Sequence, residues 1–293
     1  MLHTARSGSG KFGFAKSALP ISENCSAGRS KNRLQMTNTD IWRIALEQSA
    51  IDSCCAPEDF QKQENVVAVS RENAGRRAYL NEPYSFDFTS YGRGVVACVR
   101  EDLQAVARNF LAKYPAAHCF ETPALHELDE MLAPFGLKTC FQAEYFLPDM
   151  NALRAQPGAL ELRVLQPADF AGLYLPQWSN ALCAERRQKD ALCVGAYDGE
   201  KLAALAGASA DCEKMWQIGV DVLPAYRRQG LAKAVTSRLA LEILSRGKVP
   251  FYCAAWSNIP SVRNALACGF RPAWVQLTAK PRAFVEKLQN IGK

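Results

Sequence analysis

The segment Val222-Leu223-Pro224-Ala225-Tyr226-Arg227-Arg228-Gln229-Gly230-Leu231-Ala232 decides how this chain is interpreted. It follows a predicted strand that stops at Pro224, because proline lacks the N–H that a central ladder requires. It precedes a predicted helix whose apolar residues recur every four positions and which ends at Gly247. The first amides of a helix have no acceptor within the helix, and the helix dipole is positive there. The sequence therefore predicts an anion site at this helix start.

The side chains of this turn suit a diphosphate. Gly230 removes a side chain, so that an anion can approach the backbone closely, and Ala232 keeps the helix entrance narrow. Arg227 and Arg228 add positive charge. A basic, Gly-containing turn before a helix is nevertheless common, and the turn alone leaves an ordinary connection open as the alternative.

Strands and helices are predicted on both sides of the turn. Before it come a strand at 160–165, a helix starting at Pro167-Ala168-Asp169, and strands at 190–197, 202–208 and 218–222. After the helix come a strand at 249–255, a short helix at 260–268 and a strand at 274–277. This order predicts an α/β fold with a mixed sheet.

Two motifs in this region resemble those of the GCN5-related N-acetyltransferases, the GNAT family. That family's acetyl-CoA motif is Gln/Arg-x-x-Gly-x-Gly/Ala, matched here by Arg227, Gly230 and Ala232. A second family segment, Asn-x-x-(Ala/Ser) followed by Gly-Phe, is matched by Asn258, Ser261 and Gly269-Phe270. The resemblance covers about residues 160–279. It implies a GNAT-type acyl-CoA N-acyltransferase fold.

The resemblance also implies a co-substrate and a mechanism. Such domains bind acetyl-CoA where the strand before the turn parts from its neighbour, and an amine attacks the thioester directly. The cofactor-binding residues implied are Val220, Val222, Arg227, Arg228, Gln229, Gly230, Leu231, Ala232 and Asn258. Asn258 has a second interpretation as an ordinary helix N-cap, and both stay open.

The expected proton-transfer residues are missing. The family commonly has a Tyr seven residues after the motif Asn, where this chain has Ala265. The positions where the family often has an acidic residue or His as the general base hold Trp216 and Ile218. The substitutes considered are Asp221, Tyr252, Ser261 and an acid of the 211–213 turn, each with a structural interpretation beside the catalytic one. The sequence predicts an acetyl-CoA-dependent N-acetyltransferase acting on a primary amine of a small molecule or peptide. The alternative is a non-catalytic acyl-CoA-binding or interaction module.

Charge and composition limit the partners. The net charge of +6 comes mostly from residues 1–35, which carry six basic residues and one acid, so the remainder is close to neutral. That distribution predicts no nucleic-acid partner and disfavours a relative that uses aminoacyl-tRNA. No apolar run is long enough for a membrane span. The eleven cysteines include no Cys-x-x-Cys and the three histidines all precede residue 130, so we expect no metal, and reduced cysteines in a cytoplasmic protein.

Five segments are predicted along the chain. Residues 1–36 are predicted to be a disordered leader or a mis-assigned start, and 151–159 a linker. The leader has three interpretations: an organelle transit peptide, a flexible tail, or sequence upstream of a true start at Met36, which is the one favoured. The acetyltransferase domain spans 160–279, and 280–293 form a C-terminal tail. Residues 37–150 form a smaller α/β domain of unknown role, in one interpretation a degenerate copy of the same fold. Its predicted elements are a helix capped by Thr39 or Asp40, strands at 66–69, 86–88 and 95–99, helices at 102–113 and 123–132, and a strand at 138–147.

Four tryptophans lie near the predicted site elements: Trp178, Trp216, Trp256 and Trp274. Aromatic residues on strands usually belong to the core. Trp178-Ser179-Asn180 lies in a region where such domains often shape the acceptor pocket. Tryptophans lining that pocket would favour a partly apolar or cationic small molecule.

Overall fold

The computed structural model describes residues 36–77 and 86–291, so the predicted leader lies outside the described residues except for Met36. From Met36 onward the chain forms one compact unit. The helices are α1 (Asn38–Ser53), α2 (Gln104–Lys113), α3 (Thr122–Leu132), α4 (Leu231–Ser245), α5 (Ile259–Ala267) and α6 (Arg282–Ile291). The strands are β1 (Val66–Val69), β2 (Phe86–Ser90), β3 (Val96–Val99), β4 (Leu137–Pro148), β5 (Glu161–Leu165), β6 (Asp190–Asp198), β7 (Lys201–Ser209), β8 (Met215–Val222), β9 (Val249–Ala254) and β10 (Phe270–Pro281).

All ten strands form one mixed sheet in the order β1-β3-β2-β10-β4-β9-β8-β7-β6-β5. The pairs β1/β3 and β8/β9 are parallel and the other neighbours are antiparallel. The mixed α/β fold predicted from the sequence is confirmed. The two predicted domains share this sheet: β4 lies between β9 and β10, and β10 also pairs with β2. The boundary between residues 37–150 and 160–279 stays a prediction.

The sheet has different coverings on its two faces. On one, the helix face, α4 and α5 pack on alternate residues of β8 and β9 such as Ile218 and Tyr252, while α2 and α3 cover the strands of the N-terminal half. On the other, α1 packs around Met215 and Phe251, and residues 166–189 cover Leu205. Because side chains alternate along a strand, neighbouring residues of β8 reach opposite faces.

The main differences from the predicted elements lie at four places. The cap of α1 is Thr37, which forms a capping box with Asp40, so the choice of Thr39 or Asp40 was wrong. No α-helix follows Pro167: Gln166 N–H donates to the Asp169 carboxylate (2.8 Å), closing a single turn. Gly172 and Pro176 then disfavour continuation, and the segment runs through turns and short 3₁₀ stretches instead.

The other two differences, a longer strand and an additional helix, lie at the C-terminal end of the chain. Strand β10 extends over twelve residues because it pairs with β4 along its length, which the sequence did not indicate. The predicted tail contains α6. None of the helices within the described ranges combines the length and apolarity needed to cross a bilayer.

Candidate functional site

Strands β8 and β9 separate in the middle of the sheet. Their parallel pairing runs from Met215 opposite Val249 to Ile218 opposite Tyr252 and then stops. Beyond that point β8 continues to pair with β7 as far as Val222, whereas β9 pairs with β4 up to Ala254. A wedge-shaped gap therefore opens between the C-terminal ends of two adjacent strands.

The main-chain groups of Val220 and Val222 face this gap. Leu223 N–H donates to the carbonyl oxygen of Ala203 (3.0 Å), and these residues are opposite each other in the β7/β8 register. In an antiparallel ladder the residues that bond to a given neighbour alternate. Asp221 and Gly219 therefore bond to β7, and the backbone of Val220 and Val222 points toward β9. The Val222 carbonyl is occupied by Arg227 Nε (3.2 Å).

The turn after β8 presents a run of free amides. Within the described residues, no acceptor is found for the main-chain N–H groups from Arg228 to Lys233. Gly230 is the N-cap of α4 with φ +81°, and Arg228 also has a positive φ of 63°. These left-handed conformations curl the backbone so that successive N–H groups converge, as in other anion-binding turns. The structure thus provides the donors that a diphosphate needs.

Most predicted site residues converge on one cavity of about 530 Å³. The predicted residues that line it are Val220, Asp221, Val222, Arg227, Ala232, Tyr252, Asn258 and Ser261. Arg228, Gln229, Gly230 and Leu231 lie between two of these lining residues and do not line it themselves. The Leu231 side chain is buried in the core, so only the main-chain N–H of that residue is available to a ligand of the turn.

Asn258 caps α5. Its side-chain oxygen accepts a hydrogen bond from Ser261 N–H (3.3 Å), so the N-cap interpretation is confirmed. The same side chain lines the cavity, and its amide nitrogen is free to contact a ligand. Capping therefore does not exclude the second role.

Tyr252 and Ser261 form a hydroxyl pair over the gap. Their oxygens are 2.8 Å apart, and either can be the donor. Burial raises the pKa of Tyr252 above its ordinary value, so the phenol stays protonated at neutral pH. A buried, protonated phenol in a cavity is able to donate a proton.

Asp221 is engaged in holding a loop. Its carboxylate accepts hydrogen bonds from the main-chain N–H groups of Asn180 and Ala181 (both 2.9 Å) and from Asn180 Nδ2 (2.6 Å). The loop backbone rests directly on Gly207 and Gly219, which are opposite each other on β7 and β8. A Cβ at these glycines would lie 1.9 and 1.8 Å from the carbonyl oxygens of Ala181 and Asn180, respectively. This contact network favours an anchoring role for Asp221.

Ten further residues line the cavity. Asn180 among them lies in the segment expected to shape the acceptor pocket, whereas Ala143, Gln217 and Cys253 were not indicated by the motifs. Ala143 comes from β4 in the other predicted domain, so no local signal could have found it. Gln217 Nε2 donates to Cys253 Sγ (3.0 Å), and burial raises the pKa of that thiol to about 11. Cys253 is therefore a neutral thiol at physiological pH, which disfavours a nucleophilic role.

The positions where the family's usual acid and base were expected have no proton-transfer groups. Ala265 is fully buried against the core, and Ile218 is buried beneath α4. Within residues 36–77 and 86–291, no group of three or more His, Cys, Asp or Glu side chains could hold a metal ion.

Comparison with known proteins assigns part of the chain to a family. The family model described as GNAT acetyltransferase matches residues 142–273, from within β4 to β10. This region belongs to the GNAT family. The GNAT segment includes Gln142 to Pro148 of β4, so it begins earlier in the chain than the domain start predicted at residue 160. No curated protein has a sequence that matches the chain.

Solved structures with similar folds include GNAT proteins from bacteria. A putative GNAT acetyltransferase from Novosphingobium aromaticivorans is 21% identical, with a TM-score of 0.38, over 49% of this chain and 66% of that protein. A GCN5-related N-acetyltransferase-like protein from Streptococcus suis is 20% identical, with a TM-score of 0.40, over 54% of this chain and 68% of that protein. An aminoglycoside N-acetyltransferase, AAC(6')-Iy in complex with CoA, is 18% identical, with a TM-score of 0.32, over 41% of this chain and 93% of that protein.

Proposed function

We propose that this GNAT-family protein transfers an acetyl group from acetyl-CoA to a primary amine of a small molecule or peptide by direct attack. The observation that carries the proposal is the junction of the strand gap with the turn. Val220 and Val222 line one cavity together with Arg227 and Ala232 of the turn, and the free N–H groups of residues 228–233 belong to that same turn. The proposed cofactor residues are those predicted from the motifs.

The backbone would supply most of the binding and stabilisation. The turn amides and the Arg227 and Arg228 guanidinium groups would hold the diphosphate of acetyl-CoA, with the pantetheine arm in the gap. A Val220 or Val222 N–H would donate to the thioester oxygen as it gains negative charge. Holding the amine against the thioester in this gap would supply much of the remaining acceleration.

Proton transfer would fall to Tyr252. The amine nitrogen forms a bond to the acyl carbon, the carbon–sulfur bond breaks, and the thiolate takes a proton from the Tyr252 hydroxyl. Ser261 would position that hydroxyl and return a proton through solvent. The attacking amine loses its proton to water. We assign Asp221 a positioning role, because its oxygens already accept three hydrogen bonds.

The second candidate is a non-catalytic acyl-CoA-binding or interaction module. It is favoured by the buried Ala265 at the usual acid position and by the commitment of Asp221 to a loop. The predictions of a cytoplasmic location and of no nucleic-acid partner stand as sequence-based expectations.

Two measurements distinguish these functions. Calorimetry with acetyl-CoA should show binding to the full chain, and a thiol-release assay with a broad amine panel should show turnover. Binding without turnover across the panel would support the non-catalytic module. No acetyl-CoA binding would contradict both.

A further inference from the structure

A second cavity, of about 440 Å³, adjoins the first and shares Ala143 with it. Its floor is the helix face of β4 and β10, where Gln142, Glu144 and Val275 are exposed to the cavity. Its walls come from opposite halves of the chain: Phe120, before α3, and Trp256, after β9. A molecule reacting in the gap could extend into this cavity around the C-terminal end of β9.

Glu144 is unusual for its position. It is half-buried on a central strand, and its register neighbours are the apolar Ala254 and Val275. Within the described residues it forms no hydrogen bond or ion pair. Glu144 also lines a third cavity, in which Arg93 is the basic residue. Arg93 is engaged elsewhere, because it donates to the carbonyl oxygen of Gln61 (3.2 Å). A carboxylate in such surroundings costs free energy unless a cation or water compensates it.

The walls provide the aromatic component of a cation site. Trp256 is 65% exposed, in contrast to Trp178 and Trp274, each 3% exposed within the core. Phe120 is half-buried, and its carbonyl oxygen accepts a hydrogen bond from Gln142 Nε2 (3.1 Å), which fixes this wall to the floor. An ammonium group is attracted both by aromatic faces and by a carboxylate. An exposed Trp and an unpaired Glu that line one cavity therefore match an organic cation.

We propose that Glu144, Phe120 and Trp256 bind a second positive charge of the acceptor, so that the preferred acceptors are diamines or polyamines. This inference rests on the proposed acetyl transfer. Glu144 lies two strands away from Val220, a lateral separation of at least about 10 Å, because two usual strand spacings are widened by the gap between β8 and β9. An acceptor chain can span that separation. The far ammonium group keeps its proton and takes no part in the chemistry, while the near amine, unprotonated, attacks the thioester.

The test compares α,ω-diamines of increasing length with n-alkylamines of the same length. We expect the unmodified protein to acetylate the best diamine with a kcat/KM at least tenfold above that of its matched monoamine. Glu144→Gln should reduce this ratio to about twofold or less, since it removes the charge and keeps the shape. Glu130→Gln, which removes an exposed carboxylate on α3, is the matched control and should leave the ratio unchanged.

Direct binding separates this inference from the proposed function. Calorimetry of the best diamine, without acetyl-CoA, should show at least tenfold weaker binding to Glu144→Gln than to the Glu130→Gln control. Trp256→Leu, a change at an exposed position, should also weaken it. Diamine binding that is equal in all three variants would overturn the cation site even if monoamines are acetylated. Failure to bind acetyl-CoA, with the diamine result intact, would overturn the transferase proposal alone.

Discussion

Two strand junctions near the middle of the sheet differ in how completely they close. Strands β4 and β10 pair from Leu137 opposite Pro281 to Pro148 opposite Phe270, with two irregularities. Strands β8 and β9 pair over four positions and then part. The first junction satisfies its backbone internally, whereas the second leaves amides for a ligand. The comparison teaches that the site here is defined by missing backbone partners more than by reactive side chains.

Polar residues behave differently at the two places. In the closed part of the sheet, Asp87 on β2 is fully buried and accepts hydrogen bonds from Gln276 Nε2 (2.8 Å) and Thr89 Oγ1 (3.2 Å). At the open junction, the Tyr252 hydroxyl pairs with that of Ser261, the Asn258 side chain accepts from Ser261 N–H, and both residues still line a cavity. A polar residue on a strand therefore indicates a site only where the ladder opens.

The largest effect is expected from Gly230→Glu at the open junction. A side chain there adds bulk and negative charge to the turn that would hold the diphosphate, so calorimetry should show acetyl-CoA binding weakened at least 100-fold. Gly247→Glu is the matched control. Gly247 also has a positive φ, +72°, has open space around it, and lies at the opposite end of α4. Equal binding by the two variants would contradict the site assignment.

The closed part of the sheet around Asp87 of β2 should show a pH-dependent stability. Burial raises the pKa of Asp87 from 3.8 to about 7, so the folded state favours the protonated acid. Its contribution is fully present below about pH 4 and is lost as pH rises through 7, on the order of 4 kcal/mol by pH 8. Asp87→Asn should match the unmodified protein near pH 4 in urea unfolding and exceed it at pH 8. A constant difference between the two across this range would show that Asp87 titrates normally.

Tyr252→Phe tests the hydroxyl over the gap. It removes one oxygen from a well-packed ring, and we expect kcat to fall roughly tenfold, a modest loss because thiolates leave readily. Because the pKa of Tyr252 is raised, its hydroxyl should remain protonated, and kcat of the unmodified protein should be maintained, up to high pH. In the variant, the decrease in kcat that deprotonation of Tyr252 causes at high pH should be absent. An unchanged kcat with an unchanged profile would leave Tyr252 as a core residue only.

Substitutions of Asn258 should have the smallest effect. Asn258→Ser keeps a good N-cap, so thermal unfolding should be nearly unchanged while the KM for acetyl-CoA rises about threefold. Asn258→Ala also removes the cap and should cost about 1 kcal/mol of stability. If the Ser variant has an unchanged KM, Asn258 is a cap alone.

Local signals predicted the parts of the fold that local physics determines. The turn and α4 were predictable because Pro224, Gly230 and the apolar repeat act over a few residues. The GNAT-type fold followed from the motifs. The helix expected at Pro167 was wrong because a single-turn cap at Asp169 resembles a helix start, although Gly172 and Pro176 follow it.

Contacts between segments distant in the chain could not be predicted from the sequence. The insertion of β4 between β9 and β10 depends on pairing across more than a hundred residues, which alternation of apolar residues does not encode. For the same reason Ala143 and Glu144 could not be placed beside the site. The commitment of Asp221 to Asn180 was likewise invisible, because a carboxylate on a strand gives no sign of which backbone it will meet.

The facing glycines Gly207 and Gly219 have a consequence for altering the acceptor range. Because the main chain of Asn180 and Ala181 touches them without an intervening side chain, that stretch is fixed in height above the sheet. Randomised libraries should therefore recover variation at position 180 and almost none at 207 or 219. Laboratory evolution toward new substrates should therefore vary the side chains of the loop and keep the two glycines that its main chain contacts.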